Sequence, residues 1–131
     1  MKRIVLLLSL AVFAGLLMAQ QPVLTFDKTT HDFGKIKEEN GLASVSFTFT
    51  NKGDAPLVIN RVQAACGCTT PTWTREPILP GKKGTVTAAY NPQNRPGSFI
   101  KTITVYSNAG SNATVLTIKG DVIPKPAVMN Q

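Results

Sequence analysis

The chain has 131 residues, 43% of them hydrophobic, a length that suits one domain able to bury a core without obligatory cross-links. Fourteen Lys and Arg against seven Asp and Glu give a net charge of +7, but the basic residues are scattered, with Lys82-Lys83 as the longest run. A nucleic-acid binder clusters its charge on one face, so the pattern fits a solvated basic surface with at most weak attraction to anionic envelope polymers.

In chain order, the first feature is Met1–Ala19. Lys2 and Arg3 precede an uncharged, mostly aliphatic stretch, Ile4–Met18, and Ala19 offers a small residue just before the polar Gln20-Gln21-Pro22. This is the three-part pattern of a secretory signal. The apolar run is short of the roughly 20 residues that span a bilayer, and no basic stop-transfer cluster follows it. The expectation is cleavage after Ala19 and export to the periplasm or cell surface with no stable membrane anchor. No cysteine lies near the cut, so no acylated start is expected. Removing 19 of 131 residues leaves 112, and losing Lys2 and Arg3 lowers the net charge from +7 to +5. The expected organisation is a signal peptide over 1–19, one domain over 20–124 and a flexible tail over 125–131.

Period-two alternation then dominates, and no segment longer than a turn has a helical period. Val23–Phe26 and Phe33–Ile36 read as short extended pieces around a polar turn. Val45, Phe47 and Phe49 alternate with Ser46, Thr48 and Thr50, the pattern of a half-buried strand. Asn51-Lys52-Gly53-Asp54 reads as the turn that stops it. Pro56 opens a strand with Leu57 and Ile59 on one face, which leads through Val62 to Cys66-Gly67-Cys68. Pro77, Pro80 and Gly81 enforce a stretch that is neither helix nor central strand. Val86, Ala88 and Tyr90 mark the next strand, and Asn91–Gly97 is a loop. Phe99, Ile103 and Val105 share a face of another strand, with Lys101 in phase and near an edge. After the turn Asn108–Asn112, Leu116, Ile118 and Val122 form the last strand, with Gly120 at a bulge or a close backbone approach. About seven short strands at this spacing predict an all-β fold, an antiparallel immunoglobulin-like sandwich with Greek-key connections. Phe47, Phe49, Ile59, Ile103, Val105 and Ile118 should point inward.

Several of these motifs, taken together, resemble a known family. They are His31-Asp32-Phe33-Gly34-Lys35-Ile36, Phe47–Gly53, Pro56–Ile59, Cys66–Pro71, Pro80-Gly81, Gly97–Lys101, Ser107-Asn108 and Leu116–Gly120. The chain is similar over roughly Val23–Pro124 to domain of unknown function 1573. That resemblance implies an exported protein of Bacteroidetes-like bacteria, with a fold like the abnormal-spindle and hydin modules and, more distantly, the PapD-like fold. It implies no particular activity.

The two cysteines are the residues with the most chemistry. A disulfide between Cys66 and Cys68 requires the chain to turn at Gly67, because in an extended strand their Cβ atoms lie beyond the about 3.5–4.5 Å that a bridge needs. So small a ring closes little loop entropy and would act as a clip or a redox handle. Unliganded thiols and a soft metal are the other states. A metal would need further ligands, and His31, the only histidine, is the available one. Asp32, Glu38, Glu39, Asp54 and Glu76 could supply oxygen, but no spacing points to them. As a partner for a cysteine nucleophile His31 lacks an orienting third group, and it is expected in a polar turn beside Asp32. Trp73, the only tryptophan, is a rim aromatic or an anchor for a peptide or glycan.

No nucleophile elbow, phosphate-binding glycine loop or paired carboxylates are found, so no enzyme and no cofactor are expected. The expected function is a non-catalytic binding or accessory module of the bacterial cell envelope. Its partner would be an envelope protein or peptide, with no nucleic acid involved. A thiol-redox or metal-binding protein using Cys66 and Cys68 is the alternative, and a structural envelope component the third reading.

Overall fold

Eight strands and one 3-10 turn form the regular structure of residues 19–127, the part of the chain that the computed structural model describes. Met1–Met18 of the expected signal and the end of the tail lie outside these residues. The strands are β1 (Leu24–Phe26), β2 (Thr30–Lys37), β3 (Ala43–Asn51), β4 (Ile59–Ala64), β5 (Thr69–Trp73), β6 (Lys83–Tyr90), β7 (Gly97–Ser107) and β8 (Thr114–Ile123), and the 3-10 turn is Glu38–Asn40. They make two four-stranded sheets, in the orders β1-β3-β6-β5 and β2-β8-β7-β4. Together these sheets form the expected immunoglobulin-like sandwich.

Two features depart from the reading by periodicity. The sandwich has eight strands, because Thr69–Trp73 is a strand despite Pro71. Proline disqualifies a segment only as a central strand, and β5 is an edge. The second sheet is mixed, since β2 runs parallel to β8, pairing His31 with Ile118 and Ile36 with Val122. His31 is therefore a strand residue and not part of a turn. Its ring lies 4.6 Å from that of Phe33, edge to face.

The core follows the alternation. Phe47, Phe49, Ile59, Ile103, Val105 and Ile118 are all buried, with Leu57, Val86, Ala88, Leu116 and Val122 beside them. Each large side chain so buried contributes about 1.5–3 kcal/mol. Tyr90 stacks on Phe99 with ring centroids 3.9 Å apart, and burial raises its phenol above the ordinary range. Gly120 is the close approach. A Cβ there would stand 2.9 Å from atoms of the Phe99 ring and 3.0 Å from the Gly34 carbonyl oxygen. The bulge lies opposite, in β2, where the register slips between Asp32 and Lys35 and Gly34 takes a φ of 65°.

Candidate functional site: the sheet edges and the cysteine turn

The chain changes sheets five times, at β1–β2, β2–β3, β3–β4, β4–β5 and β6–β7, and the crossing from β4 to β5 is the cysteine turn. Cys66 and Cys68 are joined there by a disulfide, with their Cα atoms 5.2 Å apart, within the range a bridge requires. The turn is held from both sides by backbone bonds. Ala65 N–H donates to the Thr102 carbonyl of β7 at 3.0 Å, and Asn91 N–H donates to the Cys68 carbonyl at 2.8 Å. Cys66 is half-buried, whereas Cys68 is 3% exposed and part of the core. The Thr69 hydroxyl donates to Cys68 Sγ at 3.6 Å.

The other residues singled out by sequence are not gathered around this turn. His31 is on β2 and the disulfide follows β4, at opposite edges of the same sheet. Three strand spacings of about 4.8 Å separate those edges. Among the described residues no three His, Cys, Asp or Glu side chains stand close enough to hold a metal. Trp73 ends β5, half-buried against the core, and its outer face is covered by the Arg75 guanidinium 3.6 Å from the ring centroid. Its indole Nε1 is buried without a hydrogen-bond partner.

The sheet edges differ in how they are guarded against pairing with another chain. β2 carries a bulge with Lys35 and Lys37, β4 a register slip beside Arg61, and β5 Pro71. β1 is only three residues long. β7 runs past the end of β4 from Gly97 to Lys101, and that stretch has Lys101 directed inward, half-buried. The expectation for Lys101 holds in this sense: β7 is an inner strand, but Lys101 lies where β4 no longer covers it.

The first half of β3 has no such guard. β1 covers only Phe49–Asn51, and no described strand lies beside Ala43–Phe47 on that side. This stretch pairs with β6 in unbroken register and contains no lysine, proline or bulge. Asp27 N–H donates to the Thr48 carbonyl across the same side at 3.0 Å, so by strand parity Ser44 and Ser46 direct both backbone groups outward. Beside them is a notch of about 270 Å³ lined by Asp27, Lys28, Thr30, His31 and Val45–Thr48. Val45 faces inward but is only half-buried there.

Three polar residues outside this edge tie loops of the sandwich together, and sequence reasoning missed their roles. Asn51, assigned to a turn, ends β3 and is fully buried. Its Oδ1 accepts from Val23 N–H and Gly53 N–H at 3.2 and 3.0 Å, and its Nδ2 donates to the Ala55 and Ile78 carbonyls at 2.8 and 2.9 Å. Asn108 accepts from Val58 N–H at 2.9 Å and donates to the Pro56 carbonyl at 3.1 Å. Glu38 accepts from Asn94 N–H and Lys125 N–H, each at 3.0 Å. The Asn94 bond first and the Lys125 bond second hold its carboxyl below the ordinary value. The usable signal was Asn or Glu at the end of an extended run, where side chains satisfy backbone groups that the ladder leaves free.

These features define an immunoglobulin-like β-sandwich with a disulfide-closed turn at the β4–β5 crossing and an unguarded edge on β3. The family described as "Protein of unknown function (DUF1573)" matches residues 24–122, and the chain belongs to it. A protein of unknown function from Porphyromonas gingivalis W83 is similar in structure, with a TM-score of 0.69 at 22% identity, over 83% of this chain and 50% of that one. The Vibrio cholerae VesB protease matches with a TM-score of 0.57 at 19% identity, over 75% of this chain and 31% of its own. The YadV chaperone matches with a TM-score of 0.52 at 18% identity, over 82% and 54%. At these identities the likeness concerns the fold, and the chain spans about half or less of the first two. The comparison with curated proteins returns no match.

Proposed function

We propose that the chain is a non-catalytic binding module of the bacterial cell envelope, exported to the periplasm or cell surface, which takes up an extended segment of a partner protein alongside β3. The observation that carries this reading is the contrast among the edges: all are guarded except Ala43–Phe47. The site offers the N–H and C=O groups of Ser44 and Ser46 to an added strand, the recognition mode in which main-chain bonds give affinity and side-chain pockets give specificity. The notch below accepts one inward side chain, and its Val45 and Phe47 wall favours an apolar one. A second folded copy is the poorer occupant. Five residues extend about 17 Å, and so short a strip offers a rigid domain far less than the roughly 800 Å² per partner of a standard interface. A single extended chain can enter the notch as well as line the edge. The signal-like pattern of Met1–Ala19 supports export, and the likeness in fold to parts of longer chains supports an accessory role.

The test is NMR titration with an acetylated heptapeptide of alternating threonine and leucine. Shifts and slowed amide exchange are expected at Ser44 and Ser46, and both should be lost in Ser46→Pro. That variant removes an outward N–H and the exposed hydroxyl bond between Ser46 and Thr87 at 2.7 Å, so its melting temperature should fall only slightly below that of the parent. Perturbations centred on β5, equal binding by the proline variant, or no binding at millimolar peptide would overturn the reading.

A further inference from the structure

The cysteine turn plays no part in the β3 site, and its construction carries a conclusion of its own. A structural disulfide stabilises mainly by closing a long loop in the unfolded chain. The Cys66–Cys68 bridge spans one residue, Gly67, and closes almost nothing. The turn is also held without it. Ala65 is bonded to β7, the Cys68 carbonyl is bonded by Asn91, and Thr69 N–H reaches back to the Cys66 carbonyl at 3.4 Å. The two sulfurs are unequal: Cys66 is half-buried on the turn, whereas Cys68 is in the core, with the Thr69 hydroxyl directed at its Sγ.

We infer that the Cys66–Cys68 disulfide is an exchangeable redox site, opened by a small dithiol and closed by a small disulfide while the sandwich stays folded. A thiolate of the dithiol attacks Cys66 Sγ, the accessible sulfur. The Cys66–Cys68 bond breaks and its electron pair goes to Cys68 Sγ, which the Thr69 O–H stabilises until it takes a proton. The second thiol of the reductant then attacks its own sulfur in the mixed disulfide and releases Cys66. Two electrons and two protons pass to the protein, and the reductant leaves as a cyclic disulfide. Closure runs the same exchange in reverse against a small disulfide such as oxidised glutathione. Cys66 is the entry sulfur and Cys68 the resolving one.

The test uses the folded protein in dithiothreitol without denaturant, with alkylation and mass measurement. The expected result is the gain of two hydrogens and two alkylated cysteines, with the near-ultraviolet circular dichroism retained and a melting temperature within about 4 °C, a shift worth less than about 1 kcal/mol. Oxidised glutathione should restore the original mass. The single variants fix the order of attack: the Cys66 thiol of Cys68→Ser should alkylate at least about tenfold faster than the Cys68 thiol of Cys66→Ser, because the buried thiol is shielded. Dichroism of each variant separates slow chemistry from misfolding. Reduction only under unfolding conditions, thiols that stay reduced in oxidised glutathione, or faster alkylation at Cys68 in a folded variant would overturn the assignment.

Discussion

Asn51 shows how one side chain can close a corner of the sandwich. It is fully buried, and its amide satisfies two N–H groups and two carbonyls from the N-terminal segment, its own turn and the segment before β6. Asn51→Leu keeps the branched shape but leaves the Val23 and Gly53 N–H groups and the Ala55 carbonyl unpaired, while the Ile78 carbonyl keeps its bond from Leu57 N–H. At about 1–3 kcal/mol for each group that water cannot reach, a loss of at least about 3 kcal/mol is expected in urea unfolding. Asn51→Asp should be comparably destabilising at neutral pH, since a carboxylate would face the Ala55 and Ile78 carbonyls. Its cost should shrink in acid, where the group can carry a proton and donate. Glu38 has the opposite sign. The Asn94 and Lys125 N–H groups depress its carboxyl, so its stabilising effect is complete above the unfolded value and is lost as pH falls through the lower folded value. The Asn94 and Lys125 amide resonances should titrate with a midpoint below the ordinary glutamate value, and Glu38→Gln should remove that titration. Neither role was legible in the sequence. Asn51 stands among turn-forming residues, and the partners of Glu38 are 56 and 87 positions away.

Within a strand, the information was mostly in the phase. Alternation placed Phe47 and Phe49 inward, and both are buried, while Thr48 between them is half-buried on the other face. Phe49 meets Phe26 edge to face at 5.5 Å and covers Gly84, where a Cβ would stand 2.5 Å from the ring. Phe49→Ala should therefore cost about 3–5 kcal/mol, Gly84→Ala about 1–3 kcal/mol through overpacking, and Thr48→Ala little, all readable as shifts in the denaturant midpoint at constant slope. Equal losses at Phe49 and Thr48 would contradict the strand phase. Partnership between strands was less legible than phase. Pro71 hid β5, because nothing local says that a segment will lie at an edge. The parallel pairing of β2 with β8 joins residues 87 positions apart at His31 and Ile118, and no local pattern encodes it. The same applies to the open half of β3: its alternation is visible, but the missing neighbour is a property of where β1 leaves the sheet.

At the scale of the whole molecule, each sheet crossing needs something to hold the chain where it changes sides. The cysteine turn relies on backbone bonds to β7 and to Asn91. The corner beneath β1 relies on the residues that lead into it. Gln21 N–H donates to Asp54 Oδ1 at 2.7 Å, Asp54 N–H donates to the Gln21 carbonyl at 3.0 Å, and Lys52 N–H donates to the Val23 carbonyl at 2.9 Å. Val23 N–H reaches Asn51 Oδ1 in turn. Gly53 leaves the space for this passage, since a Cβ there would collide with Gln21, Pro22 and Val23. The folded unit therefore includes Gln21, so a cut after Ala19 spares every one of these bonds and a cut four residues further on removes them all. A protein that begins at Leu24 should be less stable than one that begins at Gln20 by about 2–6 kcal/mol, from four hydrogen bonds at about 0.5–1.5 kcal/mol each. Because the Val23–Asn51 bond is common to both changes, truncation and Asn51→Leu should be non-additive by that one bond, about 0.5–1.5 kcal/mol, with the double change costing less than the sum. Urea unfolding of the four proteins measures both quantities. Strict additivity would show that the N-terminal segment and Asn51 act separately.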